Sequence, residues 1–244
     1  MFALLTLACA QHISPDGDVN LSARYPAVLA ACVQSDGSVN YAALRAERDT
    51  VAAYAASLSQ GTAPIGEQGL AESINAYNAF VLLGVLDREI EQSVQELRVG
   101  LFPKGGPGFF VGLRFQYRGQ WFSLRAFENE HIREGFRDPR IHAAINCASA
   151  GCPPLSAELF AGESLDPQLN RAMARFISER NRIENDQAVF SQIFEWFESD
   201  FLDWGNADNL CAYAARYDVA YIPLAQSGCP HRFEPYDWSL NQAE

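Results

Sequence analysis

LAESINAYNAFVLLGVL, Leu70 to Leu86, is the stretch on which the fold turns. Apolar residues occupy almost every side of its helical projection, which predicts a central buried helix rather than an amphipathic surface one. Three polar side chains, Ser73, Asn75 and Asn78, are embedded in it. A buried amide without partners costs about 1–3 kcal/mol, so each must bond to something. Asn75 and Asn78 stand at i and i+3 on one face and can reach the same neighbouring loop. Either they pin an irregular loop against the helix or they take part in a binding site.

Upstream, Ser22 to Val33 reads as a helix and Asp36-Gly37 as a turn. Tyr41 to Leu58 is Ala-rich with apolar residues at helical spacing. Downstream, Gly100 to Gly112 is a Gly/Pro loop without the Lys-Ser/Thr and spacing of a phosphate cradle, and it reads as a lid or edge loop. Leu113 to Tyr117 and Trp121 to Ser123 flank Arg118-Gly119-Gln120 as a hairpin. Ser123 then caps a helix from Leu124 to about Phe136. On it Glu128 and Arg133 stand five apart, too far for a local i,i+4 pair. Ser164, or Asp166 with Pro167, opens a helix to about Arg180. A second hairpin joins Arg182-Ile183 to Ala188–Phe190, Ser191 caps the next helix, Asn206 to Tyr217 reads as helix and Tyr221-Ile222 as a short strand. Helices outnumber strands, and the strands come as hairpins. The expectation is an α+β fold, a helix-rich single domain with antiparallel hairpins packed on the central buried helix.

The densest chemistry lies in Arg140 to Leu155, RIHAAINCASAGCPPL. Read as a strand, Ile141 to Asn146 sends Ile141, Ala143 and Ile145 to one face and His142, Ala144 and Asn146 to the other. The run ends in a small-residue loop bracketed by Cys147 and Cys152. A thiol hydrolase or acyltransferase would use Cys147 as nucleophile and His142 as its base and later acid, with Glu128 or an Asn orienting the imidazole. On an extended path His142 and Cys147 would stand about 16 Å apart, so a sharp turn after Asn146 is required. A zinc site would take His142, Cys147 and Cys152 with His231 or Cys229, but the spacing lacks the tight Cys pairs such sites use, and no metal or other cofactor is expected. The third alternative is a Cys147–Cys152 disulfide that stiffens the loop, with His142 merely hydrogen-bonded. Such a loop could still line a pocket for a small molecule or a cell-envelope partner.

The chain has 244 residues, 48% hydrophobic and 12% aromatic, with a formal net charge of −12. That is ample for one buried core, and the charge argues against a nucleic-acid or anionic-membrane partner. MFALLTLACA (1–10) ends in the small-x-small pattern of a cleaved signal segment, though its basic n-region is missing; export to the periplasm or exterior is the expectation, with lipid anchoring at Cys9 less favoured. Residues 11–38 form a helical lead-in and 39–244 the domain. No further stretch of about 18 apolar residues is expected to span a membrane. Cleavage after Ala10 would leave five cysteines, one of them unpaired or paired between molecules. Cys211 with Cys229 is a second possible pair, and Cys32 reads as a small buried hydrophobe. His131 reads as an exposed helix residue, His12 as a tail residue and His231 as a loop residue.

SINAYNAF (Ser73–Phe80), SLRAFENEHIR (Ser123–Arg133), RIHAAINCASAGCPPL, IFEWFESDF and YDWSLN (Tyr236–Asn241), in this order, resemble the bacterial branch of the domain of unknown function 547 family over roughly Val39 to Asn241. By that resemblance Glu128, Arg133, Arg140, His142, Cys147 and Cys152 fall at motif positions. Ser73 stands where an aromatic residue commonly precedes the Ile-Asn pair, and Asn129 where a His often follows the acidic residue. Plant relatives do not all keep the second cysteine. The family carries no established activity, so the resemblance implies a fold more than a reaction. Candidate catalytic residues are therefore His142, Cys147 and Glu128, and candidate binding residues Asn75, Asn78, Arg133, Arg140, Asn146 and Cys152.

Overall fold

A computed structural model describes residues 20–97 and 108–243. The expected leader with Cys9, His12 and most of the Gly/Pro loop lie outside the described residues. The central helix runs Gly66–Asp87, and from Ser73 to Leu82 every residue is buried. Its mean hydropathy of 1.3 also meets the length and composition of a bilayer span, against the expectation that no such stretch exists; 94% of that window is buried inside the fold, so its apolar surface serves core packing.

Around this helix gather Tyr25–Cys32, Tyr41–Ala46, Arg48–Ser57 and the Leu165–Arg180 helix. The expected single helix from Tyr41 to Leu58 is broken at Glu47 (φ −104°, ψ 14°), where the Glu47 carboxylate accepts from Thr50 Oγ1 at 3.2 Å. Val28, Leu44, Val51, Ile74, Phe80, Phe127 and Ile141 meet in one apolar cluster, each large side chain contributing about 1.5–3 kcal/mol by leaving water. A second cluster forms around Met173, Phe176, Phe190, Phe194, Phe201 and Tyr213. The Leu165–Arg180 helix bridges them, with Leu165 and Leu169 in the first and Met173, Phe176 and Ile177 in the second.

The sheets are small. β1 (Arg114–Tyr117) and β2 (Gln120–Ser123) pair antiparallel, with φ of +46° at Arg118 and +82° at Gly119, the signature of a tight hairpin turn that follows the strand twist. Arg118 ties this turn to the central helix by two bonds to Glu72, of 2.9 and 2.6 Å. β3 (Arg182–Glu184) and β4 (Gln187–Ser191) form the second hairpin. Hairpins are not the whole pattern, because β5 (His231–Glu234) pairs parallel to β4. His231 therefore lies on a strand and not in the loop expected for it.

Three other expectations change. Ile141 to Asn146 is not a strand: Pro139–Ala143 is a 3-10 turn whose start is capped by Asp138, which accepts from the Arg140 N–H at 2.9 Å. Tyr221-Ile222 is likewise helical, because Asp218 caps the Val219–Tyr221 turn and Pro223 opens Ile222–Gln226. Both fit the rule that a capping carboxylate and a proline in the first turn start helices. Asn206 to Tyr217 contracts to Leu210–Ala214, capped by Asn209.

The C-terminal segment threads along the Cys147–Cys152 loop. Ala150 N–H donates to Ser239 O at 2.7 Å, Gly151 N–H to Asp237 O at 2.9 Å and Asn241 N–H to Ala148 O at 3.1 Å. On the other side, Gly37 (φ +82°) lies so close that a Cβ there would meet Pro154 at 2.5 Å. Segments from both ends of the described chain thus hold one short loop.

Candidate functional site

Two asparagines of the central helix position the loops around the site. Asn75 exchanges two bonds with the Phe160 backbone, of 2.8 and 2.9 Å. Asn78 does the same across a sharper turn, donating to Ala144 O at 2.9 Å and accepting from the Asn146 N–H at 2.8 Å. Each amide thus satisfies both its own polar atoms and two buried backbone groups. Asn146 in turn donates to Pro153 O at 2.8 Å and accepts from the Ala148 N–H at 2.8 Å. That holds Ala148 at φ +63°, a left-handed conformation costing a residue with a Cβ about 1–2 kcal/mol. The loop between the cysteines is a braced turn.

The turn closes on a cavity of about 420 Å³ lined by Glu128, His142, Cys147, Cys152, Tyr77, Arg125 and a set of apolar and aromatic side chains. Four of the expected residues, Glu128, His142, Cys147 and Cys152, therefore share one wall system. Asn75, Asn78, Asn146, Arg133 and Arg140 are not among the lining residues. Arg140 is engaged elsewhere, by Asp138 at 2.7 Å and Asp166 at 2.6 Å.

Cys147 and Cys152 are bonded to one another, as are Cys211 and Cys229. Cys147 is half-buried and Cys152 is 2% exposed. The Cys147 N–H donates to Cys152 Sγ at 2.9 Å, and the Tyr236 hydroxyl stands 3.0 Å from both sulfurs. Among the described residues no cysteine is a free thiol; Cys32 is fully buried in the first apolar cluster, as its reading expects, though it is not without a partner. Tyr236 packs on Trp196 and Trp238, with ring centroids 4.8 and 4.6 Å away, and these rings line the cavity too.

His142 is buried, and its Nε2 stands 2.7 Å from Asp200 Oδ2. Arg133 clamps the same carboxylate through Nε at 2.8 Å and Nη2 at 2.9 Å. Phe197 stacks on the imidazole at 4.1 Å, and the Arg133 guanidinium sits 4.6 Å from the centre of the Phe197 ring. Burial pushes the imidazole below its usual range, with the Asp200 bond offsetting only part of this. For Asp200, burial alone would raise the carboxyl, but the bonds from His142 and Arg133 outweigh it and hold it low. Both shifts favour a neutral imidazole that donates Nε2–H to an ionised Asp200. The group that orients His142 is thus Asp200, rather than Glu128 or an asparagine.

Glu128 lies on a π-helical stretch, Phe127–Arg133, inside what reads from sequence as a regular helix. Burial raises its carboxyl to about 7, with the Tyr77 hydroxyl bond at 3.2 Å and the charges of Arg133 and Arg125 offsetting only part. A carboxyl raised this far can hold or release a proton near neutral pH. His131, expected to be exposed, is half-buried. Its Nε2 stands 3.1 Å from Ser73 Oγ and its ring stacks on Phe127 at 4.9 Å. No group of three or more potential metal ligands converges among the described residues, and His231 Nδ1 is engaged by Cys229 O at 2.7 Å.

Asp200, Tyr77 and Tyr236 are the site residues that sequence reading missed. The sole signal for Asp200 was an acid in an aromatic run, IFEWFESDF, and Tyr236 stood in the YDWSLN motif without an assigned role.

Residues 64–177 match the family described as "Protein of unknown function, DUF547". That span holds SINAYNAF, SLRAFENEHIR and RIHAAINCASAGCPPL, but not IFEWFESDF or YDWSLN. No curated protein and no solved structure matches the chain.

Proposed function

We propose, from the premise that the chain carries a DUF547 family domain over residues 64–177, that it is a binding module for a small organic molecule. The observation that carries this is the cavity of about 420 Å³, within the size range of small-molecule sites and mostly apolar with few polar groups, as such sites are. The Cys147–Cys152 disulfide serves as one wall. Arg125 lines the cavity and forms no ion pair among the described residues, and Glu128 beside it is a carboxyl that burial raises to about 7. These groups suit a ligand with an aromatic or apolar body and a carboxylate or carbonyl end. Ligand-observed NMR with benzoate and benzylamine tests this. Saturable binding of benzoate alone, abolished when Ile193→Phe fills the cavity, is expected. Equal binding of both probes, or unchanged benzoate binding in the filled variant, overturns the reading.

A second reading is a cysteine-dependent hydrolase or acyltransferase acting after the disulfide is reduced. It is favoured by one observation: His142 and Cys147 line the same cavity, and His142 has an ionised partner in Asp200 at 2.7 Å. With Nε2 committed to Asp200, Nδ1 remains to accept a thiol proton. Reduced protein mixed with p-nitrophenyl acetate should then release a stoichiometric burst of nitrophenolate that Cys147→Ala eliminates and Asp200→Asn slows. A burst that persists in Cys147→Ala removes this reading.

A further inference from the structure

We infer that the Cys147–Cys152 disulfide is a reactive one, which exchanges with small thiols entering the cavity, attack falling on Cys147 and Cys152 leaving. This rests on the reading that the cavity admits small molecules, and adds to it a substrate class, thiols, and a reaction. Three observations support it. Both cysteines line a cavity, whereas Cys211 and Cys229 are enclosed in the second apolar cluster, 0% and 3% exposed. Cys147 is the more exposed of its pair, so an incoming thiolate meets its sulfur first. Two donors already stand at the disulfide: the Cys147 N–H, 2.9 Å from the leaving Cys152 sulfur alone, and the Tyr236 hydroxyl, 3.0 Å from both sulfurs.

A leaving thiolate gains most from donors fixed before the bond breaks, because leaving-group stabilisation sets exchange rates. Cys211 N–H likewise donates to Cys229 Sγ, at 3.1 Å. The backbone donor is thus common to both disulfides; the hydroxyl and the cavity belong to the Cys147 pair. Burial keeps the Tyr236 phenol protonated far above neutral pH, so its O–H remains a donor.

In the first step a thiolate RS⁻ attacks Cys147 Sγ. A bond forms between them, the Sγ–Sγ bond breaks, and its electron pair leaves on Cys152 as a thiolate. A second RS⁻ attacks the R-bearing sulfur of the mixed disulfide, releases RSSR and leaves Cys147 as a thiolate. The two protons given up by the two thiols end on Cys147 and Cys152. Two thiols are oxidised to one disulfide and the protein is reduced to the dithiol, so atoms and electrons balance.

The test treats native oxidised protein with reduced glutathione, quenches with iodoacetamide and reads labelled cysteines by peptide mass, with Cys211–Cys229 as internal control. Cys147 and Cys152 should label at least about tenfold faster than the control pair, and Tyr236→Phe should slow them by about tenfold, the equivalent of one hydrogen bond to a charged sulfur. Cys152→Ser, treated with oxidised glutathione, should hold the mixed disulfide on Cys147. Equal labelling of the two pairs, or opening of Cys147–Cys152 only in denaturant, overturns the inference. An inert disulfide in a protein that still binds benzoate would sink the exchange alone. Fast exchange in a protein that binds no benzoate would instead sink the carboxylate reading of the cavity.

Discussion

Asp200 joins two features that sequence left apart. Its carboxylate takes two bonds from Arg133 and one from His142, so a single acid sets the tautomer of the imidazole and neutralises a largely buried guanidinium. Glu128, on the same cavity, behaves oppositely. Its partner is a neutral phenol, and burial dominates. The consequence for stability follows from linkage. The folded carboxyl titrates near 7, and its unfolded counterpart near about 4.3. Between those values the folded state holds a proton that the unfolded state has lost, so stability falls as pH rises through this window. Glu128→Gln should remove that fall, gaining about 2 kcal/mol over wild type at pH 8 relative to pH 5, after discounting for water in the cavity. Urea unfolding at the two pH values measures it, and parallel pH profiles for the two proteins would refute it. His142, depressed by burial, acts in the other direction below its unfolded value, but it is common to both proteins and cancels in the difference.

At the level of elements, legibility depended on whether local signals agreed. The central helix and both hairpins were readable because pattern and turn residues pointed the same way: Arg118-Gly119 and Asn185-Asp186 both adopt positive φ at the hairpin tips. The Leu165–Arg180 helix starts from Ser164, with Asp166-Pro167 inside its first turn, whereas at Asp138-Pro139 the acid is itself the cap, and there the alternation of Ile141, Ala143 and Ile145 suggested a strand. Capping by Asp138 at 2.9 Å prevailed, because a short apolar run fits either element and the first-turn proline favours only one. The π-helical stretch Phe127–Arg133 had no local signal. Neither did β5, whose parallel partner β4 precedes it by some forty residues of chain, a separation that local pattern cannot report.

Across the whole molecule, two apolar clusters share the Leu165–Arg180 helix. Leu169→Ala empties the first and Met173→Ala the second, and each should cost about 2–4 kcal/mol. Because one helix carries both residues, either change should lower a single unfolding transition seen alike by near-UV and far-UV circular dichroism, and separate transitions would show independent units. Sequence by itself determined the buried central helix, the hairpins, the α+β class and the cysteine-flanked loop, since these follow from hydrophobic period and turn chemistry within short windows. Only the tertiary structure decided that Asp200 rather than Glu128 bonds His142, that Cys147 and Cys152 pair beneath Tyr236, and that Asn78 holds their loop. Those contacts join residues separated by up to 89 positions, and a hydrogen bond acts over about 3 Å, so nothing short of the folded chain specifies which donor meets which acceptor.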